Sequence, residues 1–160
     1  MVNEPLFRDI KKKLDDVEAA EDKVSGLKLG IMRDCRNIIN SFGSQKTDNG
    51  KELLEGIRKK IRECEKIADE NLKESALGIL FQEYAEAYLL YTYITQWRVP
   101  EWKEVEVPAQ NYLTGIGDSV GECKRFFLNA LIDCDYEKAM KVYNIVKKIY
   151  PDYCSLVYPN

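Results

Sequence analysis

Apolar residues recur along most of the 160-residue chain at intervals of three and four, the spacing that marks one face of an α-helix. No stretch shows the alternation of β-branched and polar residues that is typical of strands. The five prolines fall where the helical pattern begins or ends. The sequence therefore predicts an all-α fold, an antiparallel helical bundle of about six to seven helices, organised as one domain over residues 1–160.

Caps and helix breakers set approximate bounds for these helices. They are predicted at residues 4–42 (with 25–26 as a candidate break), 47–71, 75–97, 108–133 and 135–150, followed by a short turn opened by Pro151. The predicted apolar face of the second helix comprises Leu53, Leu54, Ile57, Ile61, Cys64 and Ile67. That of the helix over 108–133 comprises Leu113, Ile116, Val120, Cys123, Phe127 and Leu131.

The composition excludes several kinds of chemistry. The chain has no histidine, which rules out Ser-His-Asp and Cys-His nucleophile systems and any His-ligated metal site. Catalysis would have to use carboxylates, Lys, Arg, Tyr, Ser or Cys. A net charge of −3 argues against a broad duplex-binding surface, although it allows a local basic patch.

The cysteines and the hydropathy pattern bear on location. The five cysteines form no C-x-x-C pair, and their spacing matches neither a zinc site nor a secreted disulfide framework. No apolar run has the length and lack of charge of a membrane span. With no signal sequence at Met1, we expect a cytoplasmic protein with reduced thiols that are mostly small core residues and no membrane partner.

Two pairs of carboxylates are the main candidates for chemistry. Glu83 and Glu86 are the only charged residues in the apolar stretch 76–97, and at i and i+3 they share one helix face. Because an unpaired buried carboxylate is costly, they need a metal cation, a basic side chain or solvent. Asp118 and Glu122, at i and i+4, form a second pair on one face.

Glycines accompany the second pair. Gly115 and Gly121 lie near Asp118 and Glu122, although glycine costs a helix about 1 kcal/mol relative to alanine. The close approach of another helix or of a ligand would explain them, whereas the plainer interpretation is a solvated face. If the four carboxylates did form a metal site, oxygen ligands alone would favour Mg²⁺ or Mn²⁺ over zinc.

Several segments resemble one protein family. Residues 81–87, FQEYAEA, look like the L-Q-E-Y-V-E-A segment of translin-associated factor X. Residues 110–125, QNYLTGIGDSVGECKR, look like its Q-D-Y-x-x-G-x-x-D-x-x-G-E-x-x-R motif, and Asn129 with Asp135-Tyr136 continues its pattern. Residues 32–39 are similar to its first-helix R-x-x-R region. The resemblance to the translin and translin-associated factor X family covers about residues 25–158.

This resemblance implies a fold, an assembly and an activity. The family forms helical bundles that assemble into hollow, octamer-like shells, and its factor X subunit is a Mg²⁺-dependent endoribonuclease. The resemblance assigns Glu83, Glu86 and Asp118 as metal ligands and catalytic residues, with Glu122 as a fourth catalytic residue. The expected partners are single-stranded RNA and either further copies of the chain or a translin-like chain. The family usually continues into a further C-terminal helix that supports subunit contacts, so the octamer is less secure here.

Basic residues that could contact nucleic acid are fewer than in translin. The candidates are Arg58, Lys59, Arg62, Lys73 and Arg125. For the cluster at 58–62, a solvated helix face balanced by Glu63 and Glu65 is favoured over phosphate contact. Arg125 is equally suited to pairing with Glu122. The aromatic residues of 84–97 are expected in the core or a subunit interface more than in base stacking.

Two other functions remain open from the sequence. The first is a non-catalytic RNA- or single-stranded-DNA-binding subunit, like translin itself. The second is an all-α nucleotide pyrophosphatase, which also uses E-x-x-E on a helix but typically follows it with E-x-x-D, whereas the second pair here is D-x-x-x-E.

Overall fold

The structure is a computed structural model, and it describes residues 4–41, 49–68 and 76–156. Within these residues the chain forms six helices and no strand. They are α1 (Glu4–Ser41), α2 (Gly50–Ile67), α3 (Gly78–Thr95), α4 (Trp102–Val105), α5 (Ala109–Ile132) and α6 (Tyr136–Ser155). The predicted all-α bundle is confirmed. No described helix is long and apolar enough to cross a membrane.

Helix α3 is the centre of the bundle. It packs against α1, α2, α5 and α6, and half of its residues are buried because its sequence is apolar nearly all the way round. The predicted aromatic core is confirmed: Tyr84 and Tyr93 are buried, and Tyr88, Tyr91 and Trp97 are partly buried against the core. Because the rest of this central helix is almost entirely apolar, its two charged residues, Glu83 and Glu86, call for a specific explanation.

Neighbouring helices in sequence run antiparallel. In α2 and α3, Gly50 lies against the Tyr91 ring while Arg58 lies near Tyr84, so the two helices run in opposite directions. In α5 and α6, Gly117 lies against Tyr153, while the Lys138 ammonium lies 4.9 Å from the centre of the Phe126 ring.

Helices α3 and α5, the long helices on either side of the short α4, run in the same direction. The Asn111 side chain at the start of α5 donates to the Gly78 carbonyl at the start of α3, at 2.9 Å. Three to four turns later in each helix, Leu90 of α3 and Phe126 of α5 line the same cavity, so the two helices stay side by side in the same direction. The parallel arrangement is possible because the link through α4 returns the chain toward the start of α3, where the Tyr112 hydroxyl donates to the Pro100 carbonyl at 2.6 Å.

Some local predictions were wrong. Helix α1 is continuous through Gly26, since one glycine weakens a helix without ending it. Helix α4 was not predicted. Pro151 lies inside α6 and does not open a new turn. Asp135 caps α6 as predicted and accepts from the Lys138 backbone N–H at 3.0 Å. The predicted helix starts at Thr47, Asp48 and Ser75 lie outside the described residues.

The predicted apolar faces were broader than the buried ones. Leu53 is 41% exposed, because the buried seam of α2 follows Leu54, Ile57, Ile61 and Cys64, and Leu53 points about 100° away from Leu54. Leu131 is exposed for the same reason on α5, whose buried residues are Gly115, Ile116, Ser119, Cys123, Phe126 and Ala130. Cys134 and Cys154 are also exposed, whereas the other three cysteines are buried core residues as expected.

Gly115 is where α3 and α5 come closest. A Cβ added to Gly115 would lie 2.8 Å from the Ala85 Cβ and 3.1 Å from the Glu86 backbone nitrogen. Neither neighbour is the end of a flexible side chain, so neither can move aside cheaply. The predicted close approach of a helix is confirmed at Gly115. At Gly121 nothing lies within 4 Å of an added Cβ.

The two glycines give a matched test of this packing. Gly115→Ala should lower the free energy of unfolding by roughly 1–3 kcal/mol, because the added methyl forces α3 and α5 apart. Gly121→Ala should raise it by up to about 1 kcal/mol, because the methyl meets open space and alanine favours a helix. Urea unfolding of both variants measures the difference. Equal effects at the two positions would contradict the close helix contact.

Candidate functional site

The two predicted carboxylate pairs come together across the α3–α5 contact. Glu83 and Glu86 are half-buried on α3, and Asp118 and Glu122 lie on the facing turns of α5. The Gln82 side-chain amide donates to Asp118 Oδ2 at 2.7 Å, which joins the two helices at this level. The parallel helices, in contact at Gly115, hold the two pairs side by side.

Glu86 is the most perturbed of the four carboxylates. Its pKa is raised from an ordinary value of 4.5 to about 7, chiefly by burial and then by the negative charges of Asp118, Glu83 and Glu122. The Arg125 guanidinium opposes the shift. One carboxylate is thus repelled by three others from two helices, a pattern that is common in sites that bind cations or transfer protons.

Glu83 lies in a similar but more balanced environment. Burial raises its pKa and Asp118 adds to the rise, while the Arg36 guanidinium of α1 lowers it. A third helix therefore contributes a cation to the rim of the site. Neither Arg36 nor Gln82 was predicted to belong to the site. Their position inside the family-like motifs was the available signal.

The four carboxylates are not all free to bind a cation as they stand. Asp118 accepts the hydrogen bond from Gln82, and Glu122 Oε2 lies 2.5 Å from Arg125 Nη2. In the described parts of the chain, no three His, Cys, Asp or Glu side chains already form a group that could hold a metal ion. Mg²⁺, however, usually takes one or two carboxylates together with waters and substrate phosphates. The donor types and the crowded charge fit such an ion.

Two buried thiols adjoin the carboxylates without sharing their chemistry. Burial, together with the charges of Glu83, Asp34 and Glu86, raises the pKa of the Cys35 thiol to about 12. Burial and Glu122 raise the pKa of Cys123 to about 12 as well. Both thiols stay protonated at neutral pH, so they are poor nucleophiles.

Open space adjoins the site on two sides. A small cavity of about 50 Å³ lies between α1, α3 and α5, next to Glu122 and Arg125. A groove of about 460 Å³ begins at Gln82 and Asp118 and is walled by Tyr153 and neighbouring residues of α5 and α6. The groove leaves Asp118 accessible to a ligand from solvent.

The basic residues predicted to contact nucleic acid do not form one patch with the carboxylates. Arg58 and Arg62 both pair with Glu106 in the link before α5, at 3.3 and 2.5 Å, and they lower the pKa of Glu106. Lys59 is exposed on α2, and Lys73 lies outside the described residues. Of the predicted basic residues that the structure describes, only Arg125 adjoins the acidic residues.

Comparison with known proteins gives the chain its family. Residues 8–160 match the model of the Translin family. A curated relative, an uncharacterized protein of Methanocaldococcus jannaschii, is 25% identical over 139 residues. The alignment covers 86% of this chain but 63% of the relative, so the chain spans less than two thirds of that protein.

Solved structures share the fold. The apo structure of a protein named NeC3PO superposes with a TM-score of 0.83 at 24% identity, covering 100% of this chain and 85% of that one. A complex of AfC3PO with duplex RNA gives 0.80 at 19% identity, covering 96% and 81%. A further crystal structure of AfC3PO gives 0.80 at 20% identity, covering 96% of this chain and 81% of that one. Because the family model matches nearly the whole sequence, this chain belongs to the translin family.

Proposed function

We propose that the chain is the catalytic, translin-associated-factor-X-like type of translin family member, a Mg²⁺-dependent endoribonuclease that cleaves single-stranded RNA. The observation that carries the proposal is the mutual repulsion of the four carboxylates, in which Asp118, Glu83 and Glu122 all raise the pKa of Glu86. Repulsion of this kind lowers the stability of the fold unless a cation relieves it. A metal-dependent nuclease site would give the chain a functional reason to retain these four carboxylates.

The partners that we propose follow the family. AfC3PO has been crystallised with duplex RNA, which supports RNA as the class of ligand. We propose that this chain works inside an oligomeric shell, built from its own copies or with a translin-like chain. The described cysteines are all free, which suits a cytoplasmic location.

Each residue of the site has a proposed role. Glu83, Glu86 and Asp118 would hold Mg²⁺, or Mn²⁺ in its place. When bound, the ion supplies charge that offsets the negative charge developing on the phosphoryl oxygens and favours ionisation of the attacking water. Glu122 would orient this arrangement, and Arg125, now paired with Glu122, would turn to a phosphate oxygen of the RNA.

A second function has an observation in its favour. Asp118 is engaged by Gln82 and Glu122 by Arg125, so two of the four carboxylates already have partners within the chain. Such pairing would suit a non-catalytic RNA- or single-stranded-DNA-binding subunit. That protein would bind RNA equally well with and without EDTA and would never cut it. Release of pyrophosphate from nucleoside triphosphates would instead support the pyrophosphatase alternative.

Neutralising the proposed ligands should abolish cleavage. Glu83→Gln, Glu86→Gln and Asp118→Asn should each reduce Mg²⁺-dependent cutting of a labelled single-stranded RNA by more than the roughly 10–100-fold that loss of an outer partner of a metal site typically costs. Each substitution keeps the shape of the side chain, so circular dichroism should be unchanged. Glu55→Gln, at an exposed carboxylate on α2, should cut like the wild type. Full activity of Glu86→Gln would refute the assigned site.

Stability in the absence of divalent ions should depend on pH through Glu86. Because folding raises its pKa from 4.5 to about 7, its stabilising contribution is full below pH 4.5 and is lost as pH rises through about 7. Glu86→Gln removes this dependence. In EDTA, the variant should therefore melt higher than the wild type at pH 8, and the gap should shrink at pH 5. Glu55→Gln should show no such change, and a gap independent of pH would argue against the crowded carboxylates.

A further inference from the structure

The groove between α5 and α6 continues outward from the carboxylate site, and the proposed roles of the carboxylates leave it unused. Its volume is about 460 Å³, and it begins at Gln82 and Asp118. Pockets for small organic ligands typically have volumes of roughly 300–1,000 Å³. A chemical group seated in this groove would therefore adjoin whatever binds at Asp118.

Two tyrosine rings of α6 form one wall of the groove. Tyr150 and Tyr153 are three residues apart, so their side chains share a face of the helix. Tyr150 is 58% exposed, whereas Tyr153 is half-buried and packs against the core. Tyr153 reaches inward over Gly117, where an added Cβ would lie 2.6 Å from the Tyr153 hydroxyl. The groove thus has an inner ring that is held by packing and an outer ring that a ligand can reach.

The charge along the groove selects the kind of group that it can take. The wall on α5 comprises Thr114, Gly117 and Val120, and among the described residues that line the groove Asp118 alone is charged. A phosphate group in the groove would meet this negative charge with no cation beside it. A neutral, flat group is suited to the site, because tyrosine rings bind nucleobases by stacking.

Gln82 supplies polar contacts at the inner end. Its side-chain amide donates one N–H to Asp118 Oδ2 at 2.7 Å. In the described parts of the chain, no hydrogen bond uses its amide oxygen. A carboxamide also has a second N–H, so Gln82 still offers one donor and one acceptor side by side. The edge of a nucleobase presents the matching acceptor and donor.

We propose that the α5–α6 groove holds one unpaired base of an RNA strand, packed against Tyr150 and Tyr153 with its edge at Gln82. This inference rests on the proposed function, because the carboxylates fix where the phosphate of the same strand lies. A base within a duplex is already paired and stacked, and it must leave the duplex to enter such a pocket. The two tyrosines therefore give the chain its preference for single-stranded RNA.

Binding measured without cleavage tests the groove. Fluorescence anisotropy of a labelled octaadenylate in EDTA gives the dissociation constant. Tyr150→Ala should weaken binding by about tenfold, since a base loses its stacking partner, and Tyr150→Phe, which keeps the ring, should bind within about twofold of the wild type. Tyr136→Ala is the matched control: Tyr136 is exposed on the same helix, about 20 Å along its axis from Tyr150, and its loss should have no effect.

Two further probes identify the base as the group that is bound. An octamer of stable abasic nucleotides carries the same charge without bases. It should bind the wild type about as weakly as octaadenylate binds Tyr150→Ala, and Tyr150→Ala should weaken its binding no further, because ring and base form one interaction. An RNA duplex of eight base pairs should bind the wild type and Tyr150→Ala equally.

Several results would overturn the groove. They are undetectable binding of octaadenylate, binding that Tyr150→Ala leaves unchanged, and an equal loss for octaadenylate, the abasic strand and the duplex. Because Tyr150 is exposed, its variants should keep the fold, which circular dichroism checks. Failure of the nuclease proposal would look different: octaadenylate binding would depend on Tyr150, yet the wild type would not cut RNA in Mg²⁺. A chain that cuts RNA but binds it without regard to Tyr150 would refute the groove alone.

Discussion

The contact of α3 with α5 at Gly115 is the constraint on which the candidate site depends. A helix can approach another this closely only where a side chain is absent, and here the missing side chain faces Ala85 and the backbone of Glu86. The two helices also run in the same direction, so equivalent turns stay level along their length. As a result, the carboxylates of Glu83 and Glu86 face those of Asp118 and Glu122.

Electrostatics follow directly from this geometry. Carboxylates brought together at a half-buried contact repel one another. Two cations nearby reduce this repulsion: Arg36 of α1 lies beside Glu83, and Arg125 lies beside Glu122. These two do not compensate fully, because Glu86 still has a pKa of about 7. The remaining imbalance is what the divalent ion that we propose would relieve, and it lies in an otherwise apolar part of the bundle where packing alone would favour neutral residues.

The sequence predicted much of the fold for physical reasons. Helical periodicity identified each long helix in the described parts of the chain, and the apolar run at 76–97 identified the central one. The cost of glycine in a helix pointed to a close contact at Gly115. Which of two adjacent residues faces the core depends on the angle at which neighbours pack, so Leu53 and Leu131 were misassigned. The parallel course of α3 and α5 depends on the link through α4, and periodicity carries no information about such a link.

In the candidate site, too, features within one helix were predicted and contacts between helices were not. Spacing along one helix placed each carboxylate pair on a single face, and family-like motifs joined the two pairs. No rule of spacing brings Arg36 from α1 to Glu83, or Gln82 to Asp118, because these contacts cross between helices. Arg58 pairs with Glu65 at 3.3 Å, part of the local balance that the sequence suggested. The pairing of Arg58 and Arg62 with Glu106, by contrast, spans more than forty residues of sequence.

The central claim is that the α3 and α5 carboxylates together bind a divalent ion. Crystals of the chain grown with Mn²⁺ test it most directly, because manganese gives an anomalous signal that distinguishes it from water. The account predicts an anomalous peak within about 2.0–2.3 Å of oxygens from Glu83, Glu86 or Asp118, with ligands from both helices. Well-ordered carboxylates at this contact with no such peak at millimolar Mn²⁺ would contradict it.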